Sequence, residues 1–313
     1  MPKVLYLVAS HTNPLQVARL AKQLCQASAN THILIHHDAA GQPLDEGLIG
    51  YQNRVNLFPE PIKVQWGGFS VVEMELRCIS WLLDNAVEFD WLVLLSGQDY
   101  PIQPLSRLEG LLANTSQDGF IDYFPANSPP PTQWNWDKHL SLERYWFRYY
   151  TVPAQLKWLF RKLYRPVNWN PWLRLKGGRF GAKIALRRRT TPFDSTFQCY
   201  GGSQWHILNR RCVKYIQHFV DTCPDIVEYY RHTLVPDESF FQTILVNNPD
   251  LKLCNDNLRY ISWTPPYPAV LQNQDFDALM SSGKYFARKF DAAVDTEILD
   301  RLDARCLDAS PSR

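Results

Sequence analysis

The sequence predicts an α/β protein, a doubly wound and mostly parallel sheet with helices on both faces. Three observations carry this. Continuous apolar runs of strand length recur through the first 125 residues, amphipathic stretches of helix length separate them, and the apolar runs end in polar residues. Strand and helix in alternation imply crossover connections, and a sheet covered on both faces needs strands that are apolar on both sides. Such sheets bind ligands at the carboxyl ends of their strands.

The elements follow in order. KVLYLVA (3–9) is a fully buried strand rather than a signal peptide, since the run stops at Ser10-His11 without a small-residue cleavage site. A helix follows over 13–27, then strands THILIHHD (31–38) and RVNLF (54–58). Ser70-Val-Val-Glu73 has the spacing of a capping box, opening a helix whose Val72, Leu76, Ile79 and Leu83 share one face. WLVLL (91–95) is another buried strand, running into the loop SGQDYPI (96–102). The polar ends Ser10-His11-Thr12, His36-His37-Asp38 and Ser96-Gly97-Gln98-Asp99 are therefore expected along one edge. Residues 126–190 change character, with SPPPT at 128–132, dense Trp and Tyr, and 14 Lys/Arg between Asp137 and Arg189 against only Asp137 and Glu143. Periodicity returns at YGGSQWHIL (200–208), a helix over 209–222, a helix opened by Asp237, the strand LRYISW (258–263), and helices near 275–282 and 294–306. The chain thus divides into 1–125, an insert at 126–190, and 191–313, the first and last merged into one domain.

Composition excludes more than it selects. With 45% hydrophobic and 20% charged residues and a net charge of +2, the chain has the make-up of an ordinary globular protein. No apolar run reaches the roughly 18 residues of a membrane span. The seven cysteines are odd in number and scattered without a CxxC pair, so they read as reduced, mostly buried thiols of a cytoplasmic protein. The 11 Trp, 15 Tyr and 16 Phe suit sugar-binding surfaces as well as cores. There is no GxGxxG, GxxxxGK[ST], GxSxG or HExxH, which removes support for dinucleotide enzymes, P-loop enzymes, nucleophile-elbow hydrolases and zincins. Asp275-Phe-Asp277, the one Asp-x-Asp, precedes an apolar helix that Asp275 is placed to cap. Neighbouring His36 and His37 point to opposite faces of a strand, so the pair is a poor metal site.

PDESFFQTIL (236–245) sets two carboxylates side by side. Asp237 can cap the helix that follows and Glu238 suits its dipole, so a helix start explains both. Yet LLSGQDYPI (94–102), WGGFSVVEMEL (66–76), YGGSQWHILNR (200–210), PDESFFQTIL, LRYISW and FARKFD (286–291) together resemble the core-2/I-branching β-1,6-N-acetylglucosaminyltransferase and peptide xylosyltransferase family. The resemblance implies a GT-A-like fold, a nucleotide-sugar half merged with an acceptor half, and inverting, metal-independent transfer of GlcNAc or xylose from a UDP-sugar. It implies Glu238 as general base, a role the chemistry also demands, because an alcohol is a poor nucleophile until a carboxylate takes its proton. Lys289 matches the family lysine on the donor diphosphate. The family's second cation has no counterpart in TPPYPAV (264–270), which leaves Arg288 and Arg259 to stand in. Trp263 and Arg144 match acceptor contacts, and His11, Asp38 and Asp99 are placed to line the nucleotide pocket. The alternative is a catalytically inactive carbohydrate-binding protein on the same scaffold.

The insert adds one expectation of its own. In 151–167, Leu156, Leu159, Phe160 and Leu163 form an apolar helical stripe beside Lys157, Arg161 and Arg165. That pattern suits peripheral contact with an anionic membrane and a lipid-linked or other glycan acceptor. No nucleic-acid partner is expected, though the basic, aromatic 137–189 segment is the feature that such a partner would use.

Overall fold

The computed structural model describes residues 1–50, 53–128, 138–153, 155, 170–264 and 267–307. Among them, β1 (Val4–Ser10), α1 (Pro14–Ala27), β2 (Thr31–His37), β3 (Val55–Leu57), α2 (Ser70–Asp84) and β4 (Trp91–Ser96) form the wound half. β5 (Asp99–Pro101), α3 (Leu105–Asn114) and β6 (Gly119–Pro125) lead to the insert, which contains α4 (Lys138–Tyr145), β7 (Phe147–Thr151), β8 (Leu173–Lys176) and β9 (Lys183–Arg187). β10 (Tyr200–Asn209), α5 (Arg210–Thr222), α6 (Pro224–Arg231) and α7 (Phe240–Val246) follow. The chain then runs through β11 (Leu253–Cys254), β12 (Arg259–Ile261), β13 (Trp263–Thr264), β14 (Tyr267–Pro268), α8 (Phe276–Ser281), β15 (Phe286–Arg288) and α9 (Glu297–Leu307).

The central sheet has the order β11-β6-β10-β4-β1-β2-β3. β1, β2, β3 and β4 are parallel, while β10 is antiparallel to both β4 and β6. The apolar runs are explained by alternation: Tyr6 and Val8 face one core with α1, α3 and α9, and Leu5 and Leu7 face a second with α2, α5 and α7. Helices therefore cover both faces. Ser10 lies opposite His37 and Ala9 opposite Ser96, so the polar strand ends do gather at one edge. All seven cysteines are free thiols.

Several local expectations are revised. Ser70 is the first residue of α2 and not its cap; its hydroxyl accepts from Gln65 N at 2.7 Å, and Glu73 pairs with Arg77 and Arg231. LRYISW breaks at Ser262 into β12 and β13, which belong to different sheets. Asp237 opens no α-helix: Pro236–Glu238 is a single 3-10 turn, Ser239 breaks it, and α7 begins at Phe240. Asp275 makes no side-chain cap bond to α8; it reaches back instead to accept from Gln272 N at 2.8 Å, closing a capping box on the 3-10 turn before that helix. The amphipathic stripe of Leu156, Lys157, Leu159, Phe160, Arg161, Leu163 and Arg165 lies outside the described residues. Among the described residues no helix is long and apolar enough to cross a membrane.

Candidate functional site

The 3-10 turn separates the two neighbouring acids. Side chains in such a turn are splayed by about a third of a turn per residue, so adjacent carboxylates cannot share an environment. Asp237 points inward and is 6% exposed, and its Oδ1 has no hydrogen-bond partner among the described residues. Burial, then the neighbouring Glu238 charge, pushes the Asp237 carboxyl up to about 7. Neither Asp237 nor Ser239 makes a side-chain capping bond, so the cap expected of Asp237 is not formed. Behind it lies a buried pair, His206 Nε2 at 2.7 Å from Glu75 Oε1.

Glu238 points outward and its side chain keeps 27% exposure. Its Oε2 accepts from Arg144 Nη1 at 2.6 Å, and Arg144 is almost wholly buried. Arg144, expected at the acceptor, thus reaches the same centre by holding the acid. α4 is fixed in turn, since Leu234 N donates to Arg144 O at 3.1 Å and Tyr145 Oη to Val235 O at 3.3 Å. The loop Trp66-Gly67 braces the turn from the other side, with Val235 N donating to Gly67 O at 3.0 Å. Gly67 has φ +71, and a Cβ there would lie 2.8 Å from the Phe180 ring, which stacks on the half-exposed Trp66 at 5.1 Å.

A cluster of cations stands at the sheet edge. Gln16 Nε2 donates to Gly97 O and Phe290 O, both at 3.0 Å, and Phe290 N donates to Gln98 O at 2.9 Å. These bonds draw the segment carrying Arg288 and Lys289 against the loop after β4. Lys289 is half-buried and makes no ion pair among the described residues. Arg288 keeps 18% of its side chain exposed. Arg259 and Asp99 differ from expectation: both side chains are 0% exposed, with Arg259 Nε 3.0 Å from Asp99 Oδ1. Neither has surface to offer a nucleotide. Burial lowers the Arg259 guanidinium to about 10, with the Asp99 charge opposing that fall.

The other expected residues occupy the same edge with different freedom. Asp38 caps two loops, accepting from Ala40 N at 2.8 Å and Val64 N at 3.1 Å, and remains half-exposed. His11 is exposed, its carbonyl accepting from Gln42 N at 3.0 Å. His37 is tied to Ser10 Oγ at 2.8 Å, and burial drives His36 down to about 4 while its Nε2 accepts from Ile62 N. Trp263 is 56% exposed on the short β13–β14 ladder. Trp205 escaped sequence reasoning; it lies within the quoted YGGSQWHIL run, and only the fold brings two guanidiniums onto its ring, at 4.5 and 4.3 Å.

A mostly parallel sheet covered by helices on both faces, with an outward carboxylate and a group of cations at its carboxyl edge, has the architecture of a GT-A-like α/β fold. The chain belongs to the Core-2/I-branching enzyme family, whose family model matches residues 4–278. It is similar to Xylosyltransferase 2 of Rattus norvegicus, 26% identical over 277 residues that are 82% of this chain and 28% of that protein. It is also similar to Beta-glucuronosyltransferase GlcAT14A of Arabidopsis thaliana, 26% identical over 298 residues, 90% of this chain and 59% of that one. Xylosyltransferase 1 of Homo sapiens matches at 27% over 277 residues, 81% of this chain and 25% of its own length. The chain thus spans only part of the length of these curated relatives.

Proposed function

We propose that the chain is an inverting glycosyltransferase that moves a sugar from a UDP-sugar to a hydroxyl of a glycan acceptor. The observation that carries this is Glu238, a partly exposed carboxylate at the sheet edge that is oriented through one oxygen by Arg144. Its other oxygen, which has no hydrogen-bond partner among the described residues, takes the acceptor proton as the acceptor oxygen bonds to the anomeric carbon and the bond to UDP breaks. The charge developing on UDP falls to Lys289 and the open side of Arg288, so that no divalent metal is required. In this reading His11 and Asp38, which keep exposure at the polar strand ends, serve the uridine, and the exposed Trp263 serves the acceptor through its ring face. Xylose and GlcNAc are the donors the family resemblance favours, and the name of the Arabidopsis relative adds glucuronic acid.

Glu238→Gln keeps the shape of the side chain and removes the base. Turnover is expected to fall about 10²–10⁴-fold with UDP affinity held near its original value. Unchanged turnover would move the base elsewhere, and an inert wild-type protein that binds glycans would make it a binding protein. A lipid-linked acceptor and peripheral placement on the inner face of a membrane belong to the same proposal. They predict salt-sensitive co-sedimentation with phosphatidylglycerol vesicles, lost when Lys157, Arg161 and Arg165 are neutralised.

A further inference from the structure

Three short strands bring three charged side chains to one face. In the order β12-β15-β5, Asp99 lies opposite Arg288, Arg288 opposite Ile261, and Arg259 opposite Phe286. Side chains alternate across a strand, so Asp99, Arg288, Phe286 and Arg259 all project to the same side. There Trp205, 4% exposed, lies under both guanidiniums. The two arginines are not equivalent. Arg259 is sealed in: its Nε is 3.0 Å from Asp99 Oδ1, and its Nη2 donates to Leu94 O at 2.8 Å. The second oxygen of Asp99 is taken by Ser96, whose backbone N–H donates at 2.6 Å and whose hydroxyl also donates. Arg288 has only a long approach to the acid, 3.9 Å from Nε to Oδ1, beyond hydrogen-bond range. The Nε atoms of both arginines lack a hydrogen-bond partner among the described residues, so the contrast lies in distance and exposure: the Arg288 side chain is 18% exposed and that of Arg259 is closed off.

Charge arithmetic gives this asymmetry a purpose. One buried carboxylate shared by two guanidiniums leaves one net positive charge, and whichever arginine sits nearer neutralises the acid. With Arg259 in that place, Arg288 stays uncommitted at the edge beside Lys289. Were Arg259 absent, a buried and unpaired Asp99 would be costly, and it would draw in the nearest cation, which is Arg288.

We infer that Arg259, Asp99 and Trp205 are positioning residues that keep Arg288 uncommitted and aimed at the diphosphate of the donor. Arg259 acts wholly through Arg288 and touches no ligand. The inference rests on the proposed use of a UDP-sugar, and a cycle of variants separates the two. Affinities for UDP and for uridine are measured by titration calorimetry on the wild type, Arg288→Met, Arg259→Met, Arg259→Lys and the Arg259→Met/Arg288→Met pair, with melting midpoints alongside. Arg288→Met is expected to weaken UDP by about tenfold or more, the value of one charge-assisted hydrogen bond, and uridine by less than about twofold. Arg259→Met should weaken UDP comparably although its side chain is buried, again sparing uridine, and should add nothing in the Arg288→Met background. Arg259→Lys, which keeps a cation but not the fork, should fall between wild type and Arg259→Met, and it tests the same order if the Met variant fails to fold. UDP affinity that is unchanged in both Arg259 variants overturns the inference. So does an additive double variant, or equal losses for uridine and UDP, which would mean plain structural damage. If Arg288→Met leaves UDP affinity intact, the diphosphate reading of the site falls as well.

Discussion

Asp237→Asn tests whether the inner acid of the pair is a cap or a buried, mostly neutral group. Its carboxyl ionises near 3.8 in an unfolded chain and at about 7 in the fold, where burial and then Glu238 oppose its charge. Over that interval the folded chain holds a proton that the unfolded chain has lost, so stability falls as pH rises through about 4 to about 7. At about 1.4 kcal/mol per pH unit the whole interval is worth roughly 4 kcal/mol, most of it above pH 4.5. The charged groups around Asp237 are Glu238 on the same turn, Arg144 on α4, and Glu75 on α2 with its partner His206. All remain in the variant, so the difference between the two proteins isolates position 237. Asn is neutral throughout. In urea unfolding the variant is therefore expected to be about 2–4 kcal/mol more stable than wild type near pH 8, and within about 1 kcal/mol of it near pH 4.5. A lost cap would instead destabilise by about 1 kcal/mol at both pH values. That second pattern would refute the buried-acid account.

Two further outcomes are expected. If Arg288 and Lys289 supply the positive charge as proposed, transfer, or donor hydrolysis without acceptor, should persist in excess EDTA; activity that disappears on chelation and returns with Mn²⁺ would give the leaving group to a metal. Gly67→Ala combines a left-handed backbone with a Cβ placed 2.8 Å from the Phe180 ring, and should cost roughly 2–4 kcal/mol in denaturant unfolding. Adding Phe180→Leu should recover the steric part only, and a Gly67→Ala protein as stable as wild type would contradict the geometry around the turn.

The wound sheet was legible because its signal is local. Val4–Ser10 and Trp91–Ser96 are apolar on both faces since each strand feeds two cores, and a continuous run in the sequence records that directly. The edge at which the polar strand ends gather followed from topology alone. Residue roles within the site were less legible. Asp99 and Arg259 are 160 positions apart in sequence, and nothing near either one states that they meet inside the protein; both therefore read as surface ligands. Asp237 misled for a different reason. Pro followed by two acids and an apolar run is also the pattern of a helix start, and the left-handed residue before it together with the break at Ser239, φ −151, leaves an isolated 3-10 turn.

That left-handed residue is Val235, with φ 52 and ψ 55. A β-branched side chain rarely adopts this conformation, whose cost is roughly 1–2 kcal/mol. Glycine or asparagine would relieve it, so the surroundings must hold Val235 there. They do so by burying its side chain, 2% exposed, in a small core with Phe147, Tyr149, Ala185 and Leu234, against which Phe180 packs. Burying a valine contributes about 1.5–3 kcal/mol, enough to offset the backbone term. Its N–H and carbonyl are bound at the same time by Gly67 and Tyr145. Four of the members that pack on Val235, Phe147, Tyr149, Phe180 and Ala185, come from the insert. The aromatic segment between 126 and 190 is thus the mould in which the turn bearing Glu238 is set. The acid is aimed by contacts from three separate stretches of chain, and its orientation is a property of the merged domain rather than of the PDES segment.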